Sequence, residues 1–343
     1  MSTTCPACSA PVADGDAFCE QCGSGLTAHA VAAPSEQPAA AAGTNGRACS
    51  ACGGSVLDDG FCERCGAKAP TERDHWCESP AAWIGGVCDK GIAHARNEDA
   101  MALAGLDDRS LAVLVVCDGV TSAPDSDRAS LAAARAACSA LVATPAADSR
   151  AAAGIISHWT DALVLACTAA NGAAVGVART LGDPPEAPSC TFVAAVLQRD
   201  VATVAWCGDS RAYWLPDSAT AQPLTVDHSL GTELMQGGMT REQAEADSTF
   251  HTITRWLGAD SVDSTPEVHS VQLSSPGWLL VCSDGLWNYA SSPEAITAVI
   301  GEQLAAGNTE PLALAEALVR WANGRGGHDN ITAALARHQP SLR

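Results

Sequence analysis

Eight cysteines in the first 65 residues constrain the chain more than any other feature. They form four Cys-x-x-Cys pairs: Cys5/Cys8, Cys19/Cys22, Cys49/Cys52 and Cys62/Cys65. "CPACSAPVADGDAFCEQCGSGL" recurs as "CSACGGSVLDDGFCERCGAKA", down to the Phe before the third cysteine (Phe18, Phe61) and the Gly after the fourth (Gly23, Gly66). This is an internal duplication. Two such knuckles joined by a short hairpin bring four thiolates to one tetrahedral Zn²⁺. A disulfide framework would need an oxidising compartment, and a redox Cys-x-x-Cys motif would not come as matched pairs. Each unit is short, with almost no apolar core, so metal binding should supply most of its folding free energy. The expectation is two structural zinc ions, one on Cys5, Cys8, Cys19 and Cys22, the other on Cys49, Cys52, Cys62 and Cys65.

Both units resemble the short zinc-ribbon modules of bacterial proteins, giving ribbon 1 at residues 1–26 and ribbon 2 at 48–70. Between them, 27–47 reads as a flexible tether and 71–79 as a polar linker. The other cysteines (Cys77, Cys88, Cys117, Cys138, Cys167, Cys190, Cys207, Cys282) are scattered, mostly in apolar runs, and read as buried core. The net charge of −20 opposes binding to nucleic acid or anionic membranes. The ribbon basic residues Arg47, Arg64 and Lys68 are outnumbered by Asp14, Asp16, Glu20, Asp58, Asp59 and Glu63. Protein tethering therefore fits the ribbons better than nucleic acid. No uninterrupted apolar run is long enough to span a membrane. The opening MSTTCPACSA lacks a basic and an apolar signal region, so a cytoplasmic protein is expected.

From about residue 80 the pattern changes. "AWIGGVCD", "SLAVLVVCD", "CTFVAAVLQ", "VATVAWCGD", "RAYWL", "GWLLVCSD" and "NITAALAR" read as strands. "SDRASLAAARAACSALVA", capped by Ser126 or Asp127, reads as a helix, as do "AAGIISHWTDALVLACTAANGAAV", "SPEAITAVIGEQLAAG" and "EPLALAEALVRWANG". Strands come in hairpin-like groups and helices in blocks, which gives an α+β domain with mostly antiparallel sheet. "CTFVAAVLQRDVATVAWCGDSRAYWL" reads as three successive antiparallel strands. Asp118, Asp209 and Asp284 end or follow apolar runs, Asp329 precedes one, and Glu98-Asp99 follows "HARN". Any one carboxylate is a turn residue by default. Several converging on one sheet end need a cation among them, and hard oxygen donors select Mg²⁺ or Mn²⁺.

"RNEDA", "VVCDGV", "CGDSRAYW", "LTVDHS", "ITRWLG", "LLVCSDGLWN" and "GGHDNITAAL" occur in this order. The ordered set resembles the metal-dependent serine/threonine protein phosphatases of type 2C, over residues 80–338. The resemblance implies a β-sandwich of two antiparallel sheets flanked by helices, with two or three Mn²⁺ or Mg²⁺ ions in a cleft at one end. It implies that Asp118 bridges two metals, that the Gly119 carbonyl binds one, and that Asp284 and Asp329 complete the other. Glu98 and Asp99 would hold waters around the ions, Asp209 would contact a third metal, and Asn330 would support Asp329. The segment "GTELMQGGMTREQAEADSTFHT" would be the flap beside the cleft. The substrates implied are phosphoserine and phosphothreonine proteins made by a Ser/Thr kinase. Two positions depart from the family pattern. Where an Arg usually binds the substrate phosphate stands His94, with Arg96 nearest; Val120 follows Asp118-Gly119 and cannot act as an acid. Arg96 either takes the phosphate or only pairs with a carboxylate, and His94 is the other candidate anchor or acid. The alternative function is a catalytically weak phosphoprotein-binding scaffold. His228 reads as a structural hydrogen-bonding residue.

Overall fold

A computed structural model describes residues 3–4, 11–12, 48–49, 52–149 and 151–340. Cys5, Cys8, Cys19 and Cys22 lie outside the described residues. In chain order the elements are β1 (Thr3–Thr4), β2 (Pro11–Val12), β3 (His75–Ala81), β4 (Ile84–Asp89), β5 (Ala100–Gly105), β6 (Leu111–Cys117), α1 (Ser126–Ala143) and α2 (Ala152–Thr180). There follow β7 (Ser189–Cys190), β8 (Phe192–Gln198), β9 (Val201–Cys207), β10 (Arg211–Pro216), β11 (Gln222–Pro223), α3 (Leu230–Gln236) and α4 (Arg241–Glu245). The last are β12 (Leu257–Gly258), β13 (Glu267–Gln272), β14 (Gly277–Cys282), α5 (Asp284–Trp287), α6 (Pro293–Ala305), α7 (Pro311–Asn323) and β15 (Ile331–His338).

Two antiparallel sheets dominate. One has six strands in the order β11-β10-β14-β15-β4-β3, the other five in the order β13-β9-β8-β6-β5. Side chains of a strand alternate between its faces, and here each face has a different job. On β6, Ala112, Leu114 and Val116 join the layer between the sheets, while Val113, Val115 and Cys117 pack toward α1 and α2. On β14, Leu279 and Val281 face inward, while Trp278, Leu280 and Cys282 pack toward α5, α6 and α7. The order of layers is helix, sheet, sheet, helix. Both sheet faces are covered, which is why these strands read as continuous apolar runs and not as alternating ones. The α+β sandwich implied by the family resemblance is what forms.

Four details differ from the sequence reading. β8 and β9 pair as a hairpin, but β10 leaves that sheet and pairs with β14 in the other. The switch occurs at Gly208, whose φ of 115° few side chains tolerate. β3 begins at His75, inside the segment assigned to a linker; it is a sheet edge on which His75 and Ser79 stay exposed while Glu78 accepts from the Leu103 amide at 2.7 Å, so no apolar pattern marks it. The residue before α1 is Asp125 in a left-handed conformation, and its side chain makes no capping bond. Finally, α2 is long and apolar enough to cross a membrane by length and composition. Its Ile155, Trp159, Leu163, Ala166 and Ala170 are instead buried with α1 and the five-stranded sheet, so the helix belongs to the sandwich core.

Of the scattered cysteines, seven are no more than 1% exposed, as core residues should be. Cys77, on β3, is half-buried and is the exception.

Candidate active site

The sandwich gathers its acidic residues at one end. β6 stops at Cys117, and the backbone of Asp118 is clamped by Thr191: the Thr191 amide donates to the Asp118 carbonyl at 2.7 Å, and the Asp118 amide donates to Thr191 Oγ1 at 3.0 Å. Gly119 pairs with Cys190, and a Cβ there would sit 2.6 Å from the Glu98 carbonyl oxygen, so only glycine fits. β14 stops at Cys282, and Asp284 opens α5, where Asn288 Nδ2 donates to its Oδ2 at 3.1 Å. Asp329 and Asn330 precede β15. The Asn330 amide donates to Asp329 Oδ1 at 2.7 Å, and the Asn330 side chain fixes the opposite loop. Its Oδ1 accepts from the Glu98 amide at 2.7 Å, and its Nδ2 donates to the carbonyls of Lys90 and Arg96 at 2.7 and 3.1 Å. Asp209 sits at the switch from β9 to β10, 4% exposed, with its carbonyl accepting from Trp287 Nε1 at 2.9 Å.

Glu98 and Asp99 lie just before β5 and are fully buried. Glu98 Oε1 accepts from Arg96 Nε and Nη2 at 2.9 and 2.6 Å and from Ser126 Oγ at 2.6 Å. Asp99 Oδ2 accepts from Thr332 Oγ1 at 2.7 Å. His94 Nε2 lies 3.3 Å from Asp329 Oδ1, and its Nδ1 lies 3.9 Å from Glu98 Oε2. Arg96, with 46% of its side chain exposed, is therefore committed to Glu98 on one side and open to the cleft rim on the other.

The electrostatics show how closely the carboxyls crowd. Asp118 contacts both Asp99 and Asp284. Burial, and then the charges of Asp99, Asp284, Asp329 and Asp209, hold Asp118 well above the usual carboxylate range. Burial followed by Asp329 and Asp99 pushes Asp284 up to about 7, and burial pushes Asp99 up to about 6. Asp209 is raised well above its ordinary value by burial and by Asp284; Asp329 is raised too, chiefly by burial. Asp99 Oδ1 and Asp284 Oδ1 are buried without a hydrogen-bond partner. A buried carboxylate oxygen left so is costly unless a cation neutralises it. The donor set is all oxygen, which fits Mg²⁺ or Mn²⁺ and not a thiolate-seeking metal.

Sequence reasoning missed the hydroxyls that hold this set: Thr191, Ser126 and Thr332 sit in apolar or helical runs and carry no local signal. His228 acts as the sequence reading has it: its Nδ1 accepts from the Gly208 amide at 3.1 Å, and its Nε2 lies 3.2 Å from Glu267, so it braces the turn before Asp209.

A second cluster lies in ribbon 2. The sulfurs of Cys49, Cys52, Cys62 and Cys65 all fall within 4.8 Å of one another, with Cys49–Cys65 at 3.7 Å and Cys52–Cys62 at 3.5 Å. A tetrahedral Zn²⁺ with bonds of about 2.3 Å separates its sulfurs by about 3.8 Å. The knuckle turns end in Gly53 and Gly66 at φ of 71° and 70°, where a side chain would be strained.

Comparison with known proteins agrees with both halves. A double zinc ribbon model matches residues 5–66, and a protein phosphatase 2C model matches residues 92–322. Protein phosphatase PhpP of Streptococcus pneumoniae is 40% identical over 135 residues, 39% of this chain and 52% of that protein. The chain thus spans about half the length of the curated relatives it matches first. The serine/threonine phosphatase Stp1 of Staphylococcus aureus superposes with a TM-score of 0.60 at 25% identity, covering 75% of this chain and 94% of that one. The catalytic domain of the phosphatase PstP in complex with 2 manganese ions gives a TM-score of 0.55 at 21% identity, covering 77% and 100%. With the sandwich, the carboxylate cluster and a family model spanning 92–322 in agreement, the chain belongs to the protein phosphatase 2C family.

Proposed function

We propose that this chain is a metal-dependent hydrolase of phosphoserine and phosphothreonine monoesters on proteins. The observation that carries the reading is the convergence of Asp118, Asp284, Asp329, Asp99 and Asp209, with two buried carboxylate oxygens lacking any partner. Asp118, the Gly119 carbonyl, Asp284 and Asp329 would hold two Mn²⁺ or Mg²⁺ ions, Asp209 a third, and Glu98 and Asp99 the waters around them. The manganese of PstP supports that assignment. When bound, such ions supply a water acidic enough to attack phosphorus near neutral pH and charge to offset the phosphoryl oxygens. Arg96 is the anchor for the substrate phosphate, because its guanidinium is exposed at the rim while Glu98 fixes its direction. His94, against Asp329, is placed to pass a proton to the leaving serine or threonine oxygen, a role Val120 cannot fill. A phosphoprotein scaffold would have no use for two orphaned carboxylate oxygens in its core.

Each ribbon would hold one structural Zn²⁺, and the pair would tether the catalytic sandwich, residues 80–338 extended back to β3, to a protein partner. Cytoplasmic kinase substrates are the proposed targets. Hydrolysis of a phosphothreonine peptide should vanish when divalent ions are chelated and return with Mn²⁺. Arg96→Ala should raise KM about tenfold with a smaller change in kcat, and His94→Ala should alter the pH profile of kcat. Turnover indifferent to chelation would overturn the reading, and unchanged kinetics in both variants would overturn the roles of Arg96 and His94.

A further inference from the structure

Outside the carboxylate cluster, one group of side chains has the order of an activated nucleophile. β3 is the edge of the six-stranded sheet. His75 and Cys77, two residues apart, share one face of it, and Asp89 stands directly opposite His75 on β4. His75 Nδ1 lies 2.6 Å from Asp89 Oδ2, and His75 Nε2 lies 3.8 Å from Cys77 Sγ. Asp89 is itself held: its Oδ1 accepts from the Gly91 amide at 2.8 Å and from Asn323 Nδ2 at 3.0 Å. The carboxylate thus fixes the ring so that the second nitrogen meets the sulfur, the arrangement by which a weak nucleophile is activated. The bond to Asp89, and after it the contact with Cys77, pushes the His75 imidazole up to about 10, so it carries a positive charge at neutral pH beside the sulfur. Cysteines with a cation beside them and access to solvent are the reactive ones.

Among the described cysteines of the sandwich, access singles out the same residue. The seven other cysteines of the sandwich are at most 1% exposed, and those of ribbon 2 form a tight four-sulfur cluster. Cys77 is the half-buried thiol of the sandwich, and the His75 side chain above it is 53% exposed.

We infer that Cys77 is a site of S-thiolation by low-molecular-weight disulfides, with His75 as the activating group and Asp89 as the positioning residue. The Cys77 sulfur attacks one sulfur of the disulfide RSSR. A new S–S bond forms as the old one breaks, and the departing RS⁻ takes up the proton that Cys77 has lost, by way of His75 or solvent. Cys77 is oxidised, one half of the reagent leaves reduced as RSH, and a free thiol reverses the step. Asp89 also pins Gly91, where the segment leading to His94 begins, so the adduct would sit at the root of the active-site loop.

The test uses the zinc-loaded full chain and glutathione disulfide, with adducts located by peptide mass mapping over time. The first glutathionyl adduct should fall on Cys77, and its rate of formation should drop about tenfold in His75→Gln and in Asp89→Asn. His75 is exposed at an edge and Asp89→Asn keeps an oxygen for Gly91 and Asn323, so both variants should melt with the wild type. Equal rates in variants that melt with the wild type, or adducts on the ribbon cysteines with Cys77 unmodified, would overturn the inference.

Discussion

Ribbon 2 and the carboxylate cluster both gather side chains suited to a cation, but they are constructed in opposite ways. The ribbon takes four thiols from residues 49–65, holds them with two local turns, and has little behind them: Leu57 and Phe61 are 48% and 45% exposed. The cluster takes its carboxylates from Glu98 to Asp329, and each is carried to its place by a strand whose residues are buried on both faces. A fully buried Leu or Val contributes about 1.5–3 kcal/mol, and the sandwich has dozens of apolar side chains in that state, so it does not depend on metal to fold. The ribbon does. The difference teaches that a local ligand set makes metal the source of structure, whereas a set assembled by topology makes structure the source of metal binding.

The largest effect to look for is in the ribbon. Binding of a structural Zn²⁺ is worth about 10–16 kcal/mol of folding free energy in such modules. Chelation should leave the amides of residues 52–69 without protection from hydrogen exchange while those of β6, β8 and β14 stay protected. All nine Trp lie beyond the ribbons, so the tryptophan-fluorescence melt of the sandwich should keep its cooperativity. Loss of protection in both regions together would mean that the ribbon and the sandwich fold as one unit. Next comes the cluster. Asp118→Asn removes the charge at its centre and should cost about a thousandfold in phosphopeptide turnover, several kcal/mol of transition-state stabilisation. The thermal midpoint should not fall, because one repelling charge has gone from a buried group of them.

That contrast also explains what was legible in the sequence. The ribbon ligands could be read directly, since Cys-x-x-Cys spacing is the geometry. The sandwich could be read as strands and helices because both faces of Leu111–Cys117 and Gly277–Cys282 are apolar. Residues such as Asp118 and Asp284 looked like ordinary turn aspartates one by one; only their order along the chain, matched to a known family, joined them. The passage of β10 into the second sheet was hidden because its residues are as apolar as those of β9, and a strand does not announce its partner. β3 was hidden because it is an edge. The pairing of His75 with Asp89 depends on that register, and so it was not visible either.

A smaller effect separates the two regions by pH. With metal removed, Asp284 and Asp99 have folded-state values of about 7 and about 6, raised first by burial from the ordinary 3.8. Between the ordinary value and the raised one the folded state binds more protons than the unfolded state, so stability falls as pH rises through that window. The melting temperature of metal-free sandwich should therefore decline from about pH 4 to about pH 7, and saturating Mn²⁺ should flatten the decline. A metal-free midpoint that rises over the window would show that these carboxylates are not crowded.

The smallest effect tests whether the cluster owes anything to the thiol chemistry that defines the ribbon. Cys117 is adjacent to Asp118, and a thiol beside a carboxylate proposed to hold the catalytic metals invites the idea of a covalent phosphoenzyme. Alternation along β6 argues against it. Cys117 is fully buried with Val113 and Val115 toward α1 and α2, and burial pushes its thiol well above the ordinary range, which disfavours the nucleophilic thiolate. Cys117→Ser places a hydroxyl in that apolar layer and should destabilise the sandwich by about 1–3 kcal/mol if it finds no partner. Turnover per folded molecule should stay within about twofold of wild type, since the change lies outside the reacting volume. Cys52→Ser should show the reverse sensitivity, losing zinc and ribbon protection with turnover intact. A folded Cys117→Ser protein without activity would make the thiol part of the reaction and would erase the division between a soft-ligand ribbon and a hard-ligand catalytic centre.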